Sequence, residues 1–222
     1  MIKVNDATQY HQKQLIFEDV HFSIERGERV ALVGRNGAGK STLLYSMLGF
    51  IPLKKGDIRI KDQVVDWKKR ADQKFSFLPE KFQLYTQLTV EENVNYFADM
   101  LRIPRDETER VLTMTNMWND KDKRITKLSK GMLQRVGLSI SILGEPEIII
   151  LDEPTSGLDP FGRTDVINIM KKIATEDKVI LFSTHNMDEV RELATHVLYL
   201  EDKKIQKMQC DAFLERLEGS EV

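Results

Sequence analysis

Apolar and polar positions alternate near the start of the chain, with Val20, Phe22 and Ile24 in LIFEDVHFSI and then Ile58 and Ile60 in GDIRIKDQVV. A period of two predicts half-buried antiparallel strands, turning at Glu25, Arg26 and Gly27 and again at Lys61 and Asp62. Three other runs are continuously apolar: Arg29 to Val33 (RVALV), Glu147 to Leu151 (EIIIL) and Lys178 to Phe182 (KVILF). Each is followed by a helical pattern, the first from about Lys40 to Gly49. Continuous apolar strands alternating with helices predict an α/β fold whose mostly parallel sheet is covered on both faces.

The period lengthens from roughly Lys81 to Gly144, and this stretch reads as wholly helical. Thr89 with Glu92, and Asp106 with Glu109, have capping-box spacing ahead of apolar periodic runs. A third helix is predicted to begin near Ser129 and stop at Gly144, before Glu145 and Pro146. The expected organisation is one domain over residues 1–222, with a helical segment at roughly 81–144 inserted into the sheet core. Neither a repeat nor a low-complexity linker interrupts it. The basic cluster Lys68, Lys69 and Arg70 beside Trp67 reads as a solvated loop.

Composition narrows the class without naming a function. The 222 residues are 41% hydrophobic and 31% charged, ordinary for a folded protein. A net charge of −2 argues against a dedicated nucleic-acid binder. The one cysteine, Cys210, cannot form an internal disulfide and fits a reducing compartment. The opening MIKVNDATQYHQKQ has no apolar run of signal-peptide length, and no stretch approaches the ~20 apolar residues of a spanning helix.

Chemistry enters with Gly34, Arg35, Asn36, Gly37, Ala38, Gly39, Lys40 and Ser41, which match G-x-x-x-x-G-K-[ST] between a strand and a helix. Glycines there let backbone N–H groups turn inward around a β-phosphate, and the helix N-terminus adds positive potential. Lys40 would reach the β- and γ-phosphates, Ser41 would ligate Mg²⁺, and Thr42 follows in the same phosphate-contacting turn. Taken alone, the motif could be a glycine-rich turn. A second motif removes that alternative: an apolar strand ending in Asp152 and Glu153. Asp152 would hold Mg²⁺ through water, and Glu153 would polarise an attacking water.

With these motifs in place, the sequence resembles the ATP-binding subunits of ABC transporters along nearly its whole length. Leu128, Ser129, Lys130, Gly131 and Met132, followed by Gln134 and Arg135, look like the family's signature at the start of a helix. Ser156, Gly157, Leu158 and Asp159 look like its D-loop. Ser183, Thr184 and His185 look like the strand end carrying its switch histidine. Tyr10 sits where the family places an aromatic that stacks on adenine. The resemblance implies a P-loop NTPase fold, an ATPase using ATP and Mg²⁺, and two copies closing head to tail. Ser129 and Gly131 of one copy would then face the γ-phosphate held by the other. His185 would bond that phosphate, and Asp159 would touch the partner copy. His11, His21 and His196 read as structural, and Phe97, Met100 and Met114 as core or docking surface.

Two positions depart from the family pattern. Its signature more often reads LSGGQ, and the LSKGM form resembles the ABC-2-type branch that serves exporters. Lys130 either adds a cation near the opposing phosphates or points to solvent. Glu80, after Leu78 and Pro79, stands where the family has a glutamine that touches Mg²⁺; a carboxylate is a harder oxygen ligand and adds negative charge near ATP. Gln83 and Gln87 lie nearby at the wrong spacing. The expected partners are a separate integral membrane transport subunit and a second ATP-binding subunit, identical or closely related, with no nucleic acid. The expected place is cytoplasmic, on the inner face of the cell membrane. The rival reading is a non-transport ABC ATPase, for example of the iron–sulfur assembly type with a soluble partner.

Overall fold

The alternation around Val20 and Ile58 does fold as antiparallel sheet, and the reason lies in what each strand buries. β2 (Gln14–Ile24) seals Val20, Phe22 and Ile24, and β4 (Lys55–Ile60) seals Ile58 and Ile60. Both pair with β1 (Ile2–His11), and β5 (Gln63–Val64) completes the order β2-β1-β4-β5. Lys61 and Asp62 make the β4–β5 turn with φ of 52° and 64°, the left-handed pair that a two-residue hairpin requires. β1 escapes the period-two reading because its register slips between Val4 and Ala7, and again around Gln9. The slips place Ala7, Thr8 and Gln9 consecutively in the interior.

The structure is a computed structural model and describes residues 1–65 and 75–219. Trp67 and the basic cluster Lys68, Lys69 and Arg70 lie outside the described residues. Contacts divide the chain into two compact units, Met1–Lys74 with Glu176–Val222, and Phe75–Thr175.

The first unit holds the four antiparallel strands and a second set built on β3 (Arg29–Gly34). β3 lies parallel between β8 (Val179–Thr184) and β9 (His196–Glu201), and β10 (Lys204–Gln209) runs antiparallel to β9. All six residues of β8 and five of the six in β3 are buried, as continuous apolar runs predict. α1 (Lys40–Met47) packs on β3 through Leu43, Leu44 and Met47; α6 (Met187–Leu193) packs on β8, and α7 (Cys210–Glu218) on β9 and β10.

The second unit pairs β6 (Phe75–Leu78) with β7 (Ile148–Asp152) in parallel. Its helices are α2 (Val90–Leu101), α3 (Glu107–Met114), α4 (Lys130–Ser141) and α5 (Pro160–Ile173). Thr89 caps α2 with the full reciprocal box: its hydroxyl accepts from Glu92 N, and Glu92 accepts from Thr89 N at 2.8 Å. The second proposed box does not form. Asp106 already has helical backbone angles and makes no side-chain cap; a turn starting at Pro104 receives the first N–H groups of α3, with Glu107 N donating to Pro104 O and Thr108 N to Arg105 O. Nor is the segment wholly helical. Residues 81–88 lack regular structure, and only 3₁₀ turns at Trp118–Asp120 and Ile125–Lys127 link α3 to α4. α4 ends at Ser141, three residues before Gly144, whose φ of 67° turns the chain away. Among the described residues, no helix is long and apolar enough to cross a membrane.

Candidate nucleotide-binding site

In the first unit, β3 delivers the chain into the glycine loop and α1 receives it. Gly37 and Gly39 have φ of 78° and 111°, values that L side chains adopt only under strain. Gly39 is also the N-cap of α1 and offers no side chain to the helix's first N–H groups, which leaves those donors for a ligand. A Cβ at Gly39 would collide with Ile16 of β2. That contact brings the β1–β2 hairpin against the loop, and Tyr10 pairs with Leu15, the neighbour of Ile16. Tyr10 is 44% exposed there, open to stacking.

Lys40 is buried and its Nζ donates to Gly34 O at 2.9 Å, so the ammonium is folded back across its own loop. Ser41 is exposed and Thr42 half-buried. Gly34, Arg35 and Asn36 share a hollow of about 570 Å³ with His185, Met187, Tyr199, Phe213 and Leu217. His185 is exposed on the turn between β8 and α6, and that turn is firmly built. Thr184 Oγ1 donates to Glu189 at 2.7 Å and accepts from Asn186 N at 3.0 Å; Asn186 in turn caps α6, accepting from Asp188 N and Glu189 N. Of the histidines read as structural, His21 lies 3.0 Å from Asp6 and His196 lies 3.6 Å from Glu28.

In the second unit, β7 ends at buried Asp152, and the next residue, Glu153, turns out of the strand with a φ of 48°. A left-handed non-glycine residue at a strand end is uncommon and marks a backbone set by its surroundings. Ser156 N closes the turn onto Glu153 O at 3.0 Å. Glu153 and Glu80 line one cavity of about 750 Å³ together with Lys81, Gln83, Lys130 and Gln134. The Ser156 hydroxyl donates to Glu80 Oε1 at 3.4 Å, a partner for Glu80 that no sequence spacing signals.

Ser129, Gly131 and Asp159 line a smaller hollow of about 260 Å³ in the same unit. Ser129 caps α4, its hydroxyl accepting from Met132 N, and Asp159 caps α5, accepting from Gly162 N at 2.8 Å. Lys130 is exposed and lines the same hollow as Ser129 and Gly131. Its Nζ lies against Gly157, where a Cβ would strike it, so the signature lysine packs on the turn after Glu153. Phe97 makes an edge contact with Tyr96, and Met100 stands 64% exposed.

The pattern that defines the ABC transporter family matches residues 17–156. The chain is 31% identical over 205 residues to the lantibiotic transport ATP-binding protein SrtF of Streptococcus pyogenes, covering 92% of this chain and 89% of that one. It is 32% identical over 214 residues to the Nod factor export ATP-binding protein I of Bradyrhizobium sp. (strain SNU001), covering 94% and 70%. Among solved structures it resembles the dimeric post-hydrolysis state of the ATP-binding cassette MJ0796 bound to ADP and Pi, with a TM-score of 0.80 and 25% identity over 95% of this chain and 99% of that one. A glycine-rich strand-loop-helix, a carboxylate pair at the end of a buried strand and a serine-capped helix are therefore found in a chain that belongs to the ABC transporter family, among its ATP-binding subunits.

Proposed function

We propose that this chain binds and hydrolyses MgATP to drive export through a separate membrane-spanning protein, working with a second ATP-binding subunit on the cytoplasmic face of the membrane. The observation that carries the reading is the phosphate loop: two left-handed glycines, an uncapped helix start and a buried lysine whose Nζ donates to its own loop carbonyl. On nucleotide binding, Lys40 exchanges the Gly34 carbonyl for phosphate oxygens. The N–H groups of Gly37, Gly39 and the first turn of α1 point their partial positive charge at the same anion. Tyr10 offers a face for the base.

The donor set proposed for the metal is the Ser41 hydroxyl with the Asp152 carboxylate and, in this chain, Glu80. All are hard oxygens, which suits Mg²⁺ carried in with the nucleotide and still holding several waters. When bound, the ion would neutralise charge developing on the phosphates. Glu153 orients and deprotonates the attacking water, and His185 holds the γ-phosphate. Ser129 and Gly131 supply donors from the second copy. The proposed domain plan remains one ATP-binding domain with a helical segment near 81–144 as the surface that answers to the membrane partner. The export reading draws on relatives named for lantibiotic transport and Nod factor export, with the LSKGM signature agreeing.

Phosphate release tests the chemistry. Glu153→Gln should retain MgATP binding and lose steady-state hydrolysis, while Lys40→Ala should lose binding. Wild-type turnover in Glu153→Gln removes Glu153 as the base. Purification from detergent-solubilised membranes tests the coupling: an integral membrane protein should accompany the chain, and a purely soluble companion would sink the transport reading.

A further inference from the structure

Phe161 is the most exposed large hydrophobic side chain among the described residues, at 86%. It is the second residue of α5, fixed by the Asp159 cap and by Pro160 in the first helical turn, so a rigid start holds it out. Isolated apolar residues on a surface need no explanation, but this ring belongs to the wall of the hollow that also carries Ser129, Gly131 and Asp159. One helical turn further along α5, Asp165 is exposed and lines the same hollow.

The other unit carries a complementary shape. Its hollow of about 570 Å³ has the exposed residues Arg35, Asn36 and His185 on its wall and the half-buried Tyr199 and Leu217 as its floor, with Phe213 fully buried behind them. The floor is stiff: Tyr199 and Phe213 pack 5.2 Å apart, and the Tyr199 hydroxyl donates to Glu201 at 2.8 Å. The space admits a phenyl ring, and the exposed rim residue Arg35 is a cation where α5 carries Asp165. Thus the face presenting Ser129 also presents an aromatic knob and an anion. The face presenting the phosphate loop presents an aromatic hole and a cation.

We propose that Phe161 of one copy seats on the Tyr199–Leu217 floor of a second copy, with Asp165 opposite Arg35, and that two-fold symmetry repeats the contact. The inference rests on the proposed reading that Ser129 and Gly131 of one copy face nucleotide held by the other. If they do, Phe161 is carried to the wall that holds Arg35 and His185. The contact makes closure depend on an apolar anchor as well as on nucleotide.

Cross-linking between two differently marked copies tests it. In a Cys210→Ser, Glu153→Gln background, mixing a Phe161→Cys chain with a Leu217→Cys chain under oxidant and MgATP should give a cross-linked dimer, absent without nucleotide. A Ser129→Cys chain mixed with an Asn36→Cys chain tests the underlying reading separately. Cross-linking of that second pair without the first overturns the Phe161 contact and leaves the head-to-tail arrangement standing; failure of both overturns both. In parallel, Phe161→Ala should weaken MgATP-dependent self-association by about tenfold or more while a fluorescent ATP analogue still binds the single subunit. Undiminished association of a folded Phe161→Ala chain overturns the proposal.

Discussion

The turn that presents His185 depends on one hydroxyl, and removing it gives a sharp test. Thr184 is 1% exposed and Glu189 3% exposed. The Thr184 hydroxyl gives its hydrogen to Glu189 at 2.7 Å and takes one from Asn186 N at 3.0 Å, bracketing the histidine on both sides. Thr184→Val keeps the shape and deletes both bonds. A hydrogen bond to a buried carboxyl is worth about 1.5–3 kcal/mol and a half-buried backbone bond about 1 kcal/mol. Because Glu189 has other interactions, the lower end applies, and the expected loss is about 2–3 kcal/mol. With a urea m-value of roughly 2–3 kcal/mol/M, the unfolding midpoint should fall by about 1 M at unchanged m. Thr184→Ser should restore most of this. Pairing Thr184→Val with Glu189→Met removes donor and acceptor together, and the double variant should be more stable than the two losses summed, by about 1 kcal/mol or more. Additive losses, or a valine variant as stable as wild type, would refute the reasoning.

Three further outcomes are expected. Gly137→Ala, a change that normally favours a helix, should destabilise α4 by about 1–2 kcal/mol in thermal or urea unfolding, because the new Cβ would lie 2.5 Å from the Phe82 ring and 3.0 Å from Leu78; Phe82→Ala should relieve it. Cys210 is buried with its thiol pushed above the ordinary range, first by burial and then by Asp211, so a thiol reagent at neutral pH should label it fully only after denaturation, and rapid native labelling would contradict the packing. Reverting both family departures, Glu80→Gln with Lys130→Gly, should change ATP affinity less than either single reversion does; equal or summed effects would show that the two charges act independently.

The backbone of the proposed phosphate loop was legible because local chemistry dictates it: glycine where φ is positive, lysine and serine at a helix start, carboxylates at the end of an apolar strand. The buried strands were legible for the same reason, since continuous Val, Ile and Leu runs have one physical meaning. Where the reading failed, a long-range partner decided the outcome. β1 was missed because its bulges break the alternation, and they exist to fit the edges of β2 and β4. The Asp106 cap was wrong because the Pro104 and Arg105 carbonyls already accept from the first N–H groups of the helix. Thr184 and Glu189 stand five residues apart with no spacing that marks a hydroxyl-carboxyl pair, and only burial makes the bond obligatory. Phe161 was invisible to pattern because an apolar residue next to a proline looks like core; its exposure is a fact of the fold.

The same distinction resolves the two departures from the family pattern. Read along the chain, Glu80 is an added negative charge that should oppose nucleotide, and Lys130 is an added positive charge of no fixed purpose. They are 50 positions apart, so the sequence gives no reason to consider them together. In the fold they line one cavity with Glu153, and the Ser156 hydroxyl reaches Glu80 while Lys130 packs on Gly157, the next residue. Both side chains therefore meet the turn that follows Glu153, one through a hydrogen bond and one through contact. Both side chains are exposed, so the coupling between their opposite charges should weaken as salt is raised. A neutral glutamine with a neutral glycine, or a carboxylate with an ammonium, both leave the cavity's charge the same; only a mixed pair alters it. An ammonium that offsets Glu80 in this way predicts that each single reversion shifts ATP affinity more than the paired reversion does.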